Sequence, residues 1–256
     1  MISDNFSKIF DKELQLLNPN QNRDVKFWQE MANIYCKNEL LEIACGSGRL
    51  SLPLIESEFK LTGFDNSINM LNVFKQNAES KNIQREKYSL LQADMGDFKI
   101  NKKFDFAFIG YFAFQILLNL EDQIQCIENI YDHLLDKGVL GIDIYPAVCE
   151  GGDVKEKEFI YSADNFIKNS TVEMFTSYTI DRLNLIKHWT DDYKIISKRG
   201  RIEYFSNKIS LKECSLDYMK LLLEKTGFEI LHIYGGFDKS EVRENSENII
   251  YICQKR

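Results

Sequence analysis

Residues 38–49, Asn38-Glu39-Leu40-Leu41-Glu42-Ile43-Ala44-Cys45-Gly46-Ser47-Gly48-Arg49, decide the fold of this chain. The run from Leu40 to Ile43 reads as a buried strand, and RLSLPLIES (49–57) reads as a helix directly after the glycine turn. Small residues in such a turn let a ligand approach the backbone closely, and the helix N-terminus offers unpaired N–H groups. A G-x-G turn alone says little. The elements around it give it meaning.

Upstream, residues 24–37 read as a helix. Downstream, KLTGF (60–64) is a second strand, and Ser67 caps a helix whose inner face includes Ile68, Leu71 and Phe74. YSLLQA (88–93) and FDFAFIG (104–110) are the third and fourth strands. A helix over 121–136 lines up Ile124, Ile127, Ile130, Tyr131 and Leu134, with Gly138 at its C-terminal end, and GVLGIDIY (138–145) is the fifth strand. Strands alternating with helices predict a parallel, doubly wound α/β sheet covered on both faces.

The rhythm changes after Pro146. CEGGDVKEKE (149–158) reads as a mobile loop, and a period of two follows to about Ile209. Val172, Met174, Thr176, Tyr178 and Ile180 share one side of a strand. Leu185 to Ile196 and Ile202 to Ile209 supply two more, with Lys198-Arg199-Gly200 as their turn. Three or four antiparallel strands are therefore expected as an insertion. Ser215 then caps a late helix with Leu216, Met219, Leu222 and Leu223 inward, stopped by Gly227. FEILHIYG (228–235) and NIIYICQ (248–254) lie too close for a crossover helix and predict an antiparallel hairpin.

The 256 residues, 44% hydrophobic and 28% charged, suffice for one domain with a full core and a sizeable insertion. Thirty-two basic against 39 acidic residues give a net charge of −7, with no electrostatic case for nucleic acid or an anionic membrane. The six cysteines are scattered, without a C-x-x-C pair, and read as reduced thiols of a cytosolic protein. The N-terminus has no apolar signal region and no stretch is long enough to span a bilayer, so a soluble, cytoplasmic chain is expected.

Two carboxylates sharpen the glycine turn. Asp65 ends the second strand, 17 residues after Gly48, where an acid can take two ribose hydroxyls. Asp94 ends the third, where an acid beside the apolar Met95 can hold an adenine. The dinucleotide fingerprint G-x-G-x-x-G has Ser51 at its third glycine here, and Glu42 would repel a pyrophosphate. A ligand carrying an ammonium and a sulfonium suits that carboxylate.

With these motifs in hand, the chain resembles the class I S-adenosylmethionine-dependent methyltransferases. EIACGSGRL looks like their first motif, with Ala44 in place of a glycine. FDNSINML resembles the following acid and helix, QADMGDF the adenine-contacting motif, and FDFAFIGYFAF the fourth strand and its loop. DHLLDKGVLGIDIY and LDYMKLLLEKTGFEIL resemble the fifth-strand region and the late helix. The likeness covers roughly 27–148 and 208–254. It implies a Rossmann-like seven-stranded sheet of order 3-2-1-4-5-7-6 with the antiparallel insertion after strand five. It also implies S-adenosyl-L-methionine as cofactor and S-adenosyl-L-homocysteine as product.

Carried over residue by residue, the resemblance makes Glu42 a brace of the loop or a partner of the methionine ammonium. Ala44, Cys45, Gly46 and Gly48 become the floor under the methionine moiety. Asp65 with Asn66 binds ribose, Asp94 with Met95 holds adenine, and Gly110-Tyr111 borders the sulfonium. Residues 1–37, aromatic through Phe10, Phe27, Trp28 and Tyr35, correspond to a helical lid over the cofactor, with Trp28 among the cofactor contacts. The core is then 38–148 and 208–256. The strands of 149–207 are either an acceptor wall or a dimer contact.

Methyl transfer from a sulfonium needs alignment more than acid–base machinery. Tyr111, Gln115 and Asp143 stand at the carboxyl edge where ligands bind, and Asp143 is equally readable as a carboxylate tied into the following loop. His188, beside Trp189 in the insertion, is the best histidine candidate for a base, whereas His133 reads as a surface residue and His232 as structural. Asp94, Asp97 and Asp143 are not spaced as a metal site. A small-molecule acceptor is expected, nitrogen ahead of oxygen, for a monomer or homodimer. The alternatives are a regulatory protein that binds the cofactor without turnover and, further off, an NAD-dependent oxidoreductase.

Overall fold

The computed structural model describes residues 4–18, 22–146 and 148–256. The chain divides into two compact units, Asn20–Pro146 with Cys214–Arg256, and Met1–Pro19 with Ala147–Glu213.

The first unit is built on β1 (Glu39–Ile43), β2 (Lys60–Asp65), β3 (Tyr88–Gln92), β4 (Phe104–Ile109), β5 (Leu134–Ile144), β10 (Phe228–Tyr234) and β11 (Ile249–Lys255). Their order is β3-β2-β1-β4-β5-β11-β10, the arrangement the family resemblance implies. β1 pairs in parallel with β2 and β4, β2 with β3, and β4 with β5. β11 runs antiparallel to both β5 and β10, because the hairpin before it leaves no crossover.

Alternation along the strands sorts side chains into two apolar layers. Leu41, Ile43, Ala107 and Ile109 face one layer with Ile127, Ile130, Met219 and Leu222. Leu40, Phe106 and Phe108 face the other with Phe27, Trp28, Leu71 and Phe74. The flanking helices are α2 (Asn22–Tyr35), α3 (Ser51–Glu56), α4 (Ile68–Ser80), α5 (Leu120–His133) and α6 (Leu216–Lys225). Ser67 and Ser215 cap α4 and α6 through the amides of Met70 and Tyr218. Asn119 caps α5 through Asp122.

Two boundaries differ from the sequence reading. The helix expected over 121–136 stops at His133, and β5 already begins at Leu134. Lys137 takes a positive φ of 63°, and the register with β4 shifts between Phe104 and Phe106, so Asp136-Lys137-Gly138 lies in an irregular stretch of strand. Gly138 therefore lies within β5 and does not end a helix. The third strand stops at Gln92, two residues short of Asp94.

The second unit is an antiparallel meander of β6 (Val154–Asp164), β7 (Ser170–Asp181), β8 (Ile186–Ser197) and β9 (Ile202–Lys212). The expected loop at 149–158 is strand from Val154 onward. β6 is an edge strand, and charged residues on an edge carry no apolar period that would reveal it. α1 (Asp4–Leu17) belongs to this unit and packs Phe6 and Ile9 against Val172, Met174, Tyr193 and Ile195. Its Glu13 carboxylate accepts from the hydroxyls of Tyr193 (3.0 and 2.9 Å) and Tyr161 (3.2 Å). The segment 1–37 is thus shared: α1 goes with the inserted strands and α2 with the seven-stranded sheet.

All six cysteines are free thiols, five of them buried. Among the described residues no helix is long and apolar enough to cross a membrane.

Candidate cofactor site

β1 ends in a turn that only small residues tolerate. Ala44, Gly46 and Gly48 have φ of +57°, +54° and +86°. The turn is tied down by Cys45 N–H to Phe64 O (2.9 Å) and Gly48 N–H to Cys45 O (3.0 Å), and Leu52 N–H to Gly48 O (2.8 Å) starts α3. A Cβ on Gly48 would stand 2.7 Å from Phe74 Cδ2. Cys45 turns its thiol towards Gly63, where a Cβ would lie 3.0 Å from Sγ, and burial keeps that thiol protonated.

Ala44 holds a left-handed conformation that costs an L-residue about 1–2 kcal/mol. Ala44→Gly is therefore expected to stabilise the protein by about 0.5–1 kcal/mol after the gain in unfolded-chain entropy is subtracted. Thermal melts should rise by about 2 °C, with cofactor affinity unchanged. A fall in melting temperature would refute this account of the turn.

Asp65, at the end of β2, accepts from Gly46 N–H (3.0 Å) on Oδ2 and from Ser67 N–H (2.8 Å) on Oδ1. It thereby ties the glycine turn to the start of α4, and burial raises its pKa against these two bonds. Asn66 beside it is exposed. Asp94 is exposed after β3, accepts from Gly96 N–H (2.9 Å), and has a half-buried Met95 next to it.

Beneath the turn lies a group of buried carboxylates. Glu42 accepts from Ser51 Oγ, so the residue that replaces the third fingerprint glycine anchors this acid. Burial, chiefly, pushes Glu42 up to about 8, opposed by the Ser51 hydroxyl and the Arg49 charge. Arg49 makes a two-pronged pair with Asp24 of α2 (3.1 and 2.5 Å), and its guanidinium lies 5.0 Å from the centre of the Tyr111 ring.

Asp143 is fully buried at the end of β5 and accepts from Tyr111 N–H (2.9 Å) and Phe112 N–H (3.3 Å). Burial and then the Asp24 charge raise it to about 7, against those two amides and Arg49. Of the two readings of Asp143, its bonds are those of a tie, made to the loop after β4. Tyr111 and Phe112 are both left-handed, at φ +57° and +59°. Gln115 clamps the same loop by donating to Tyr145 O (3.0 Å) and accepting from Tyr145 N–H (2.8 Å).

Trp28 is fully buried and stacks on Phe108 at 4.9 Å. Its Nε1 is the one buried side-chain polar atom among the described residues without a hydrogen-bond partner. The space a Gly110 side chain would fill lies 3.5 Å from that nitrogen and 3.7 Å from Asp143 Oδ1, with Leu50 Cδ1 occupying it.

Each histidine is engaged within its own unit. His188 belongs to the four-stranded unit, is exposed, and pairs Nδ1 with Ser210 Oγ at 2.7 Å. His133, expected at the surface, is half-buried and bonds Asn129 O through Nδ1 (2.8 Å) and the Ile100 amide through Nε2 (3.1 Å). His232 is exposed and stacked on Tyr234. Among the described residues no group of three or more His, Cys, Asp or Glu could hold a metal.

Sequence reasoning gave no role to Asp24, Ser51 or Phe112. Arg49 and Asp24 carried a faint signal, a cation closing the turn and an acid in the first turn of the preceding helix. Their pairing needs tertiary structure.

The arrangement suits S-adenosylmethionine. Left-handed small residues leave backbone room for the ligand, and a buried Trp28 N–H lacks an acceptor. Arg49 is paired with Asp24 and acts on Glu42 and Asp143, whose carboxyls burial holds at about 8 and about 7, so a cation bound beside them would draw out their ionised forms.

Comparison with known proteins agrees. Residues 40–138 match a family model described as a methyltransferase domain. The glycine/sarcosine N-methyltransferase of Aphanothece halophytica is 24% identical over 223 residues, covering 84% of this chain and 76% of its own. A crystal structure of an S-adenosylmethionine-dependent methyltransferase from Clostridium acetobutylicum ATCC 824 superposes with a TM-score of 0.81 at 17% identity, covering 98% of each chain. A sugar N-methyltransferase from Streptoalloteichus sp. ATCC 53650 does so with a TM-score of 0.73 at 17% identity, over 96% of this chain and 92% of its own.

Proposed function

We propose that this chain is a class I S-adenosylmethionine-dependent methyltransferase and that it methylates an amine nitrogen of a small molecule. The observation that carries the reading is the pair of buried acids with raised pKa, Glu42 under the glycine turn and Asp143 against the β4 loop. Cations favour the ionised forms of such acids, and amine acceptors are cations in neutral water. Similar proteins named as acting on glycine, sarcosine or sugar nitrogen support the choice of atom.

When bound, S-adenosylmethionine supplies an already activated methyl group on sulfur. The chain's own residues then have to bind, align and exclude water. Ala44, Cys45, Gly46 and Gly48 give a floor of backbone for the methionine moiety, and Glu42 offers its charge to the ammonium. Asp65 and Asn66 take the ribose. Asp94 and Met95 take the adenine, with the carboxylate reading its polar edge and the thioether lying on its face. Gly110 and Tyr111 border the sulfonium. Trp28 Nε1 donates to an acceptor atom of the ligand.

The ammonium must first lose its proton to water; its nitrogen lone pair then forms the N–CH3 bond while the S–CH3 electron pair stays on sulfur, and this displacement asks nothing of the exposed His188. The expected result is micromolar binding of S-adenosylmethionine and S-adenosylhomocysteine by calorimetry, with NADH silent. S-adenosylhomocysteine should then form in the presence of small primary and secondary amines. Turnover confined to alcohols, phenols or carboxylates would sink the nitrogen reading. Binding without turnover on any acceptor would favour a regulatory role.

A further inference from the structure

Resting on that cofactor reading, we infer that Asp143 is a positioning residue whose carboxylate holds the Gly110–Phe112 loop in the shape that presents Tyr111 to the reacting centre. Asp143 is fully buried, and each of its oxygens takes one amide of the loop, from Tyr111 at 2.9 Å and Phe112 at 3.3 Å. The carboxylate has no exposed surface, and each of its oxygens is spent on the backbone of the loop after β4.

The loop needs the tie. Tyr111 and Phe112 are successive residues with side chains, both at φ near +60°, a region that glycine enters freely and other residues avoid. Their left-handed backbone turns two consecutive N–H groups towards one acceptor. Sheet registry puts that acceptor in reach, because Ile109, the last residue of β4, pairs with Ile142 of β5, and the next residues along are Gly110, which opens the loop, and Asp143.

A second strap works beside the first. The Gln115 amide is bonded to both the N–H and the C=O of Tyr145, so the loop is fastened to the end of β5 at two points. The Arg49 guanidinium, fixed by Asp24, lies against the Tyr111 ring and sets its direction. The charged and titratable groups that act on Asp143 are Asp24 from α2 and Arg49 from the turn before α3. Ionisation of Asp143 strengthens its bonds to the two amides, and its protonation weakens them.

The test is a double-mutant cycle of Asp143→Asn and Phe112→Gly. It is read by S-adenosylhomocysteine affinity and by amide exchange of the peptide spanning 110–116 in ligand-free protein. Asparagine keeps one acceptor and turns an NH2 group towards the Phe112 amide. Asp143→Asn is expected to weaken ligand binding about tenfold or more in the otherwise native chain. In the Phe112→Gly background, where glycine holds the left-handed turn unaided, the same change should cost only about threefold or less. Exchange of 110–116 should quicken in Asp143→Asn while the sheet strands keep their protection.

Equal losses in both backgrounds would overturn the proposal, since Asp143 would then touch the ligand itself. Unchanged exchange at 110–116 would also overturn it. Failure of the native chain to bind S-adenosylhomocysteine would sink the cofactor reading, and the ligand-free exchange arm would still decide the loop. Should Asp143→Asn not fold, the native chain carries the test. Protection at 110–116 taken relative to that of strands β1 and β4, and corrected for intrinsic exchange, should be higher at pH 8 than at pH 6, and an equal or lower ratio would refute the tie.

Discussion

Gly48→Ala is expected to abolish S-adenosylhomocysteine binding and to lower the melting temperature of the seven-stranded unit. The backbone at Gly48 has φ +86°, and a Cβ there would meet Phe74 Cδ2 at 2.7 Å and Cε2 at 2.9 Å. Phe74 is fully buried and cannot swing away without opening the layer it shares with Leu71, Leu40 and Phe106. Left-handed strain of about 1–2 kcal/mol and overpacking of about 1–3 kcal/mol act together. For a chain of this size that is a drop of roughly 5–10 °C. Gly46→Ala is the control. Its φ is +54°, but its nearest neighbour would be the flexible Met70 Cε at 3.4 Å, so strain alone applies and the effect should be smaller. Melting curves and calorimetry on the two variants decide the matter. Gly48→Ala binding within about threefold of native, or Gly46→Ala harming more, would mean the turn does not form the ligand floor.

The second large effect is a pH dependence with a definite sign. Glu42 has its pKa raised from 4.5 to about 8 in the folded chain, first by burial. The folded state therefore keeps a proton that the unfolded state releases. Stability from this group is full below about 4.5, declines as pH rises towards about 8, and is level above that. At 1.36 kcal/mol per unit the loss is on the order of 5 kcal/mol, and Asp143, raised to about 7, adds to it in the same direction. Glu42→Gln keeps an acceptor for Ser51 and removes the titration. Its expected melting temperature is near native at pH 5 and about 5–10 °C above native at pH 8.

The same substitution should weaken S-adenosylmethionine binding about tenfold at pH 8, because a cation near Glu42 favours its ionised form. Binding to the native chain should then release protons, measurable by calorimetry in buffers of different ionisation enthalpy. A native melting temperature that rises from pH 5 to pH 8 would refute the assignment. The acid that destabilises the ligand-free fold is thus the one that favours a cationic ligand.

Much of the architecture was legible along the chain because its signals are local. Apolar runs such as Leu40–Ile43 and Phe106–Ile109 recur between helical periods, which specifies parallel strands buried on both faces. Ser67 and Ser215 marked helix starts by their own side chains, and the closeness of the last two strands dictated their antiparallel pairing. Failures fell where the local signal was weak. The edge strand β6 begins in Val154-Lys155-Glu156-Lys157-Glu158, which has no apolar period, and α5 ends early because a bulged register, not a glycine, stops it.

The site divides in the same way. By itself the sequence picked out the glycine turn, the acid that ends β2 and the acid just past β3, since these depend on neighbours in the chain. Only the tertiary structure decided the Asp24–Arg49–Tyr111 chain, the Ser51 bond to Glu42 and the hold of Asp143 on a left-handed loop. Those contacts join α2, β1, β4 and β5, and their strength comes from burial in a low-dielectric layer. Spacing along a sequence records neither.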